Sequence, residues 1–409
     1  MNFFTELKEG LGISWSAIRG NKMRSMLTTL GIVIGIVTVT LMGTAIEGLN
    51  GAFIKSISFI GADVLFVHRF NWFNESEEDW LKNQKRREIT LSQAMALERQ
   101  LTLARAIAPK VDTDQQVLYK KRRSNNVSIV GTTEQFLFTG GISVSEGRFL
   151  SGPEVEGGRP LCVIGYQVAT NLFEHESPLG KKIMIGPKAF EVVGILEKQG
   201  SFLDGGSFDN QAIIPLKQFL TVFWSNPDYE IQVKAISITQ LEEAKEELRI
   251  AMRRIRHIPP NQPDDFSINQ QDQFVEMFHR VAGTIAAVGL FITGLSLFVG
   301  GIGIMNIMFV SVAERTREIG IRKAIGAKRR TILLQFLVEA ATICLLGGCV
   351  GLLIAWPLTL VMQRFMPATM SPIIVGISLA VSLVTGVLSG ILPAWRAARM
   401  NPVDALRNE

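Results

Sequence analysis

The run MLTTLGIVIGIVTVTLMGTAI, residues 26–46, contains no charged side chain. At about 1.5 Å of rise per residue, a helix of this length crosses the hydrocarbon core of a bilayer. Three more apolar stretches follow it, and most charged residues lie between the four. We therefore predict four transmembrane helices: TM1 at 26–47, TM2 with a stalk at 281–312, TM3 at 331–362 and TM4 at 371–395.

Composition agrees with this prediction, because 47% of the residues are apolar and only 19% are charged. The net charge of +5 comes largely from Lys and Arg beside the predicted spans, which favours membrane orientation over nucleic-acid binding. These flanking residues are Arg19, Lys22 and Arg24 before TM1, Arg315, Arg317, Arg322, Lys323, Lys328, Arg329 and Arg330 between TM2 and TM3, and Arg396, Arg399 and Arg407 after TM4. The positive-inside rule then predicts that both termini are cytoplasmic, with a short tail at 396–409. Apolar residues at helical spacing predict an amphipathic entry helix within residues 1–25, lying in the membrane interface or, as the alternative, packed on the protein as an ordinary surface helix.

Residues 48–280 are therefore expected outside the cytoplasm, where they form an α+β domain. Thr90 and Thr239 each begin a capping-box pattern ahead of an amphipathic helix. Short β-branched runs, separated by Gly, Pro and Asn, predict strands. We expect two subdomains, one built from 48–130 and 223–280 and the other from the inserted stretch 131–222. The overall class is an α-helical membrane protein with a large α+β extracytoplasmic domain.

No motif for catalysis or metal binding is found in the sequence. It contains no GxxxxGK[ST] loop for nucleotide phosphates, and the four histidines do not occur at metal-ligand spacing. We expect neither enzymatic activity nor a bound cofactor or metal in this chain. Glycines at GxxxG spacing predict close helix packing in the membrane: Gly31 and Gly35, Gly347 and Gly351, Gly386 and Gly390.

Two polar segments are open to functional interpretation. Residues 313–330 alternate charges with isoleucines, which is typical of a short helix that docks on a soluble protein, and equally of an ordinary juxtamembrane loop. The basic run at 120–123 is interpreted as a solvated hairpin end, with contact to lipid or a partner as the alternative.

The segment ERTREIGIRKAIGAKRRTILLQFLVEA, residues 314–340, closely resembles the signature of MacB/FtsX-type ABC transporter permeases. WSAIRGNKMRSMLTTLGIVIG at 15–35 and GILPAWRAARMNPVDALR at 390–407 are similar to the first span and C-terminal end of that family. Stretches beginning at Gly147, Cys162, Pro178 and Phe190 are similar to the MacB periplasmic domain.

The resemblance implies an inner-membrane permease of the mechanotransmission type, which carries ATP-driven motion to its periplasmic domain for substrate efflux. It implies a homodimer or a pair with a closely related permease, a separate ABC ATPase that binds ATP and Mg, and a periplasmic adaptor. MacB carries a fused ATPase domain, whereas this sequence begins at the amphipathic helix, so a partner is expected to hydrolyse ATP. The residues implied in ATPase coupling are Glu314, Arg315, Arg317, Glu318, Ile319, Gly320, Arg322, Lys323, Gly326 and Ala327.

Alternative functions within the same architecture are a lipoprotein-releasing permease of the LolC/LolE kind and an FtsX-like signalling module that activates a cell-wall hydrolase. The segment Gly205–Asn210 is poorer in acids than its counterpart in MacB relatives, which leaves the adaptor and the substrate undetermined.

Overall fold

The computed structural model describes residues 22–57, 61–73, 76–174, 176–200, 208–224, 227–366 and 368–407. Residues 1–21 of the amphipathic helix predicted over 1–25, and residues 205–207 of the acid-poor segment, lie outside the described residues. The helices and strands, in chain order, are α1 (Lys22–Ile57), β1 (Val64–His68), α2 (Glu77–Gln84), α3 (Leu91–Gln100), β2 (Ala104–Tyr119), β3 (Arg122–Thr132), α4 (Phe136–Thr139), β4 (Val144–Gly147), α5 (Gly152–Gly157), β5 (Leu161–Ile164), α6 (Tyr166–Leu172), β6 (Lys182–Ile185), β7 (Lys188–Leu196), β8 (Gln211–Pro215), α7 (Leu216–Val222), β9 (Glu230–Ala235), a 3-10 helix (Ile238–Gln240), α8 (Leu241–Ile255), β10 (Ser267–Gln270), α9 (Gln271–Glu314), α10 (Thr316–Ala324), α11 (Arg329–Met362), α12 (Pro372–Arg399) and α13 (Pro402–Arg407).

The chain divides into two compact units, one of residues Met1–Ala52 with Phe278–Glu409 and the other of residues Phe53–Met277. In the residues that the structure describes, four helices are long and apolar enough to cross a membrane: α1 over Thr29–Ile54, α9, α11 and α12. The predicted number of membrane helices is therefore confirmed. Each of these helices extends past its predicted span at one end or at both: α1 and α9 at both ends, α11 at its start and α12 at its end.

The helical unit has its own apolar core. The buried residues of this core, hereafter the helical core, are Ile32, Ile36, Ile304, Met308, Val312, Ile319, Ile332, Phe336, Ala340, Ile343, Cys344, Ala394 and Ala397. They come from α1, α9, α10, α11 and α12, so the short helix α10 shares its packing with the long helices. Many large apolar side chains on the long helices are exposed, as on Phe291 and Leu353, which suits helices whose outer faces contact lipid.

The other unit contains one mixed sheet. Among the described residues its strand order is β10-β1-β9-β2-β3-β8-β5-β7-β4, with β6 pairing to β2 and β7 off this path. The pairs β3–β8 and β5–β7 are parallel, and the others are antiparallel. The α+β class predicted for this segment is therefore confirmed.

The sheet continues across the predicted subdomain boundary. β10, β1, β9 and β2 come from the segments assigned to the first subdomain, and β8, β5, β7 and β4 from the insertion, with β3 between the two groups. One large core contains buried residues of both groups, such as Leu65 and Phe190, and a smaller one lies around Phe136, Phe149 and Ile213. The division into two subdomains stays a prediction.

The two predicted capping boxes differ in outcome. Thr90 caps α3, and the Gln93 Oε1 atom accepts a hydrogen bond of 3.2 Å from the Thr90 backbone N–H. The prediction for Thr239 is wrong, because α8 begins only at Leu241 and Thr239 lies inside the 3-10 helix. The Ser237 hydroxyl accepts from the Thr239 backbone N–H and takes over the capping of this turn.

Candidate functional site

The short helix α10 is set apart from the long helices by a break at each end. At its start, Arg315 has φ −103° and ψ 16°, and at its end Gly326 has φ +101°. The Gly326 N–H donates to the Lys323 carbonyl and the Ala327 N–H to the Arg322 carbonyl, both at 3.0 Å. This is a Schellman motif, which needs a left-handed residue at the position of Gly326. Two residues of the predicted coupling set, Gly326 and Ala327, thus end the helix.

One face of α10 packs on the helical unit. Ile319 is buried in the helical core, and Gly320 is also buried. Burying an isoleucine side chain contributes on the order of 2 kcal/mol, which helps to hold so short a helix in place.

Polar contacts add three further attachments for α10. The Arg315 guanidinium donates to both carboxylate oxygens of Glu339 on α11, at 3.3 and 3.4 Å. Arg322 Nη1 donates to Gln335 Oε1 at 2.8 Å. Lys323 Nζ donates to two carbonyl oxygens at the C-terminal end of α12, those of Ala398 at 2.7 Å and Met400 at 2.6 Å.

The surroundings of the Lys323 amine change its pKa, and burial is the largest cause. Desolvation, helped by the cation of Arg329, lowers the pKa of Lys323 from its ordinary value. The two carbonyls it bonds lie at the negative end of the α12 dipole, where a cation is favoured.

The opposite face of α10 is exposed. Glu314, Arg317 and Glu318 are exposed, and Glu318 forms an ion pair of 2.5 Å with Arg322 one turn later. Beside these charges, the Ile325 side chain is 82% exposed and Ile321 is 44% exposed. We use the name outer face of α10 for the exposed surface formed by Arg317, Glu318 and Ile321 of this helix, its C-cap residue Ile325, and Glu314 at the adjoining end of α9. Apolar groups ringed by charges are the usual composition of a protein–protein contact.

The structure thus divides the ten residues of the predicted coupling set. Glu314, Arg317 and Glu318 lie on the outer face, whereas Ile319, Gly320 and Lys323 hold α10 to the long helices. The sequence-based set omitted Ile321 and Ile325, which carry the apolar part of the outer face. It also omitted Glu339, although an acid within an apolar span was a signal of a buried polar contact.

The glycines of α1 lie against α9. A Cβ atom built on Gly31 lies 2.9 Å from the Cα atom of Gly300, and one on Gly35 lies 2.8 Å from Leu297 Cδ2. Both distances are too short for an added side chain. At Gly31 the two helices approach backbone to backbone, whereas at Gly35 the Leu297 side chain occupies the space.

The glycines of the other two spans also face neighbouring helices. A Cβ on Gly347 lies 3.3 Å from Ile32 on α1, and one on Gly351 lies 3.1 Å from Ile36. On α12, a Cβ on Gly386 lies 2.8 Å from Cys344 of α11, and one on Gly390 lies 2.6 Å from the Cβ of Ala340. All six predicted packing glycines are therefore at helix–helix contacts.

The basic run at residues 120–123 forms the end of the β2–β3 hairpin, as its register shows. It borders an open cleft of about 440 Å³ lined by Tyr119, Lys120, Lys121, Arg122, Leu172 and Glu176. Lys120 pairs with Glu176 at 2.9 Å, and Arg122 pairs with Glu174 at 2.8 Å, so part of the positive charge is balanced locally. Within the described part of the chain, no group of three or more His, Cys, Asp or Glu side chains could hold a metal ion.

Two models of known protein families match successive parts of the chain. A model of the MacB-like periplasmic core domain matches residues 25–251, and a model of the FtsX-like permease C-terminal region matches residues 290–402. The second match contains α10 and its attachments to α11 and α12. The first contains most of the sheet.

Curated relatives match over nearly the whole chain. The macrolide export ATP-binding/permease protein MacB of Neisseria gonorrhoeae is 31% identical over 412 residues, which is 100% of this chain and 62% of the relative. The pyoverdine export ATP-binding/permease protein PvdT of Pseudomonas savastanoi pv. phaseolicola is 31% identical over 408 residues, 99% of this chain and 60% of the relative. The chain thus spans about three fifths of the length of these relatives.

A solved structure is also similar. The periplasmic region of MacB from Actinobacillus actinomycetemcomitans is 18% identical, covers 55% of this chain and 95% of its own, and gives a TM-score of 0.45.

Proposed function

Because the chain belongs to the family of MacB/FtsX-type ABC transporter permeases, we propose that it is the membrane subunit of an ATP-driven exporter. In this proposal, a separate ABC ATPase docks on the outer face of α10 and drives movement of the strand-rich domain outside the cytoplasm. The observation that carries the proposal is the exposure of Ile321 and Ile325 among the charges of that face. An isoleucine that is 82% exposed at the end of a short charged helix suits a surface covered by another protein.

Several further parts of the assembly are proposed with it. The positive charges beside the spans favour cytoplasmic termini in the inner membrane, with residues 48–280 on the outer side. The sequence lacks a phosphate-binding GxxxxGK[ST] loop, which favours ATP and Mg binding by the partner ATPase. Two permease copies, or one copy with a closely related permease, act with a periplasmic adaptor. The names of the relatives, macrolide export and pyoverdine export, favour a small-molecule cargo.

Affinity purification of the tagged chain from its native membrane, followed by mass spectrometry, tests the proposal. Co-purification of an ABC ATPase and a membrane-fusion-type adaptor supports an exporter. An ATPase recovered with a cell-wall hydrolase instead identifies the FtsX-like signalling module, and one recovered with lipoproteins identifies the lipoprotein-releasing permease. Recovery of no ATPase contradicts the central proposal.

The docking surface itself is tested by Ile325→Asp. A carboxylate within the contact has to be desolvated, so we expect the yield of co-purified ATPase to fall by tenfold or more. Ile236→Asp makes the same change at an isoleucine that is 54% exposed in the strand-rich unit, and it is expected to leave the yield unchanged. Equal yields from both variants contradict this placement of the docking surface.

A further inference from the structure

Glu339 is a carboxylate within an otherwise apolar span. It is the only charged residue between Thr331 and Met362, and it is 3% exposed. A charge at such a position is costly unless a partner of opposite sign lies beside it. The structure supplies that partner in Arg315, whose Nη1 atom lies 3.3 Å from Glu339 Oε2.

Arg315 lies where the chain changes direction. It follows the last residue of α9 and precedes the first residue of α10, and its backbone is outside the helical range. The Arg315 side chain at this break donates hydrogen bonds to Glu339 of α11 instead of pointing into solvent. The contact between Arg322 and Gln335 attaches α10 to the same helix, one turn closer to the start of α11.

We propose that Arg315 and Glu339 are a positioning pair that makes α10 and the first turns of α11 move as one body when the ATPase acts on α10. A movement of α10 away from α11 would leave the Glu339 carboxylate unpaired among apolar side chains. Because an unpaired buried charge is costly, the ion pair opposes this movement. The outer face of α10 is not used by this contact and stays open to the ATPase. The role in ATP-driven motion rests on the proposed function, whereas the attachment itself does not.

The attachment is tested by hydrogen exchange on the full-length protein in lipid nanodiscs. Glu339→Gln keeps the shape of the side chain but removes its charge, and we expect amide exchange over residues 316–324 to become at least tenfold faster. The double variant Arg315→Glu with Glu339→Arg restores an ion pair and is expected to restore protection. Glu47→Gln, which changes an exposed carboxylate in the same unit, is the matched control. Exchange within twofold of the unmodified protein in Glu339→Gln overturns the proposal.

A variant that fails to accumulate is replaced by Glu339→Asp. Aspartate keeps the charge on a side chain that is one methylene shorter, which draws the carboxylate back from Arg315, so the same acceleration is expected. Unchanged exchange over 316–324 in Glu339→Asp equally overturns the proposal.

The functional role needs a readout that simple destabilisation does not reproduce. The complex is purified with its native ATPase. We expect the amount of ATPase subunit bound to the Glu339→Gln chain to stay within twofold of the amount bound to the unmodified chain, while permease-dependent ATP turnover falls at least fivefold. Rescue of turnover by the double variant completes the support. Parallel loss of binding and turnover indicates a merely structural role and overturns the coupling part. Absence of an ATPase from the unmodified complex refutes the proposed function, and the exchange experiment still decides the attachment.

Discussion

At the scale of single residues, Gly386 shows how closely α11 and α12 approach. An added Cβ atom lies 2.8 Å from the Cys344 side chain and 2.9 Å from the carbonyl oxygen of Ala340, which is backbone that cannot turn away. Gly386→Ala should therefore force the helices apart and lower the free energy of unfolding by about 1–3 kcal/mol, which lowers the thermal midpoint. The measurement is the thermal midpoint of the detergent-solubilised protein by size-exclusion chromatography after heating.

Gly376 provides the control on the same helix, because a Cβ atom there meets nothing within 4 Å. Gly376→Ala is expected to leave the thermal midpoint unchanged or to raise it slightly, since alanine is the better helix former. If both substitutions lower the midpoint equally, close approach at Gly386 is not what limits stability.

Glu154 is a residue whose charge state the fold controls. Two hydrogen bonds of 2.7 Å from the Arg148 guanidinium and one of 2.7 Å from the Ser151 hydroxyl hold the pKa of Glu154 at about 2, against a burial effect that opposes them. Since the pKa is lower in the folded state, this stabilisation is present above about pH 4.5 and is lost as the pH falls toward 2.

Acid unfolding measures this contribution. Between pH 6 and pH 3, the free energy of unfolding of the strand-rich unit should fall by about 2 kcal/mol more in the unmodified protein than in Glu154→Gln. Hydrogen exchange of the full chain, followed through peptides of β5 and α5, gives both values. Identical pH dependence in the two proteins excludes Glu154 as the titrating group.

At the scale of elements, Arg256 attaches the end of α8 to the segment before α3. Its side chain is fully buried and donates two hydrogen bonds to Asp265, at 2.6 and 2.9 Å, and others to the carbonyls of Arg87 and Glu88. Arg256→Ala removes this buried donor from all of those acceptors, and Asp265 keeps only the hydrogen bonds that its Oδ2 atom accepts from Arg87. The free energy of unfolding is expected to fall by about 3 kcal/mol. Arg254→Ala removes an exposed arginine from the same helix, and a change below about 0.5 kcal/mol is expected. Urea unfolding of both variants checks the difference.

At the scale of the whole molecule, the proposed orientation can be tested by thiol labelling. Cys162 and Cys344 are buried and Cys349 is exposed, so the background is the Cys349→Ser protein. In spheroplasts, a membrane-impermeant maleimide is expected to label Lys121→Cys, at the exposed hairpin end, and to spare Lys328→Cys. Inverted vesicles should show the reverse pattern. Labelling of Lys328→Cys in intact spheroplasts contradicts cytoplasmic placement of the segment around α10.

The four spans and the class of the remaining domain were predictable from the sequence by itself, because they depend on local composition. A long uncharged run has to be a helix in lipid, and alternating short runs with turn residues indicate strands. The start of α8 was not predictable at this level, since Ser237 and Thr239 are both suitable helix-capping residues. The backbone conformation places Ser237, and not Thr239, as the residue whose hydroxyl caps the first turn.

Only the tertiary structure decided which residues of α10 face outward and what holds the others. The family resemblance of the segment 314–340 implied one functional set that contains Glu314, Ile319, Lys323 and Gly326. Packing separates them, since burial of Ile319 turns one face of the helix inward and exposes the other. The contact of Arg315 with Glu339 joins residues 24 positions apart. Such a pairing follows from how two helices lie against each other, a property that local sequence does not carry.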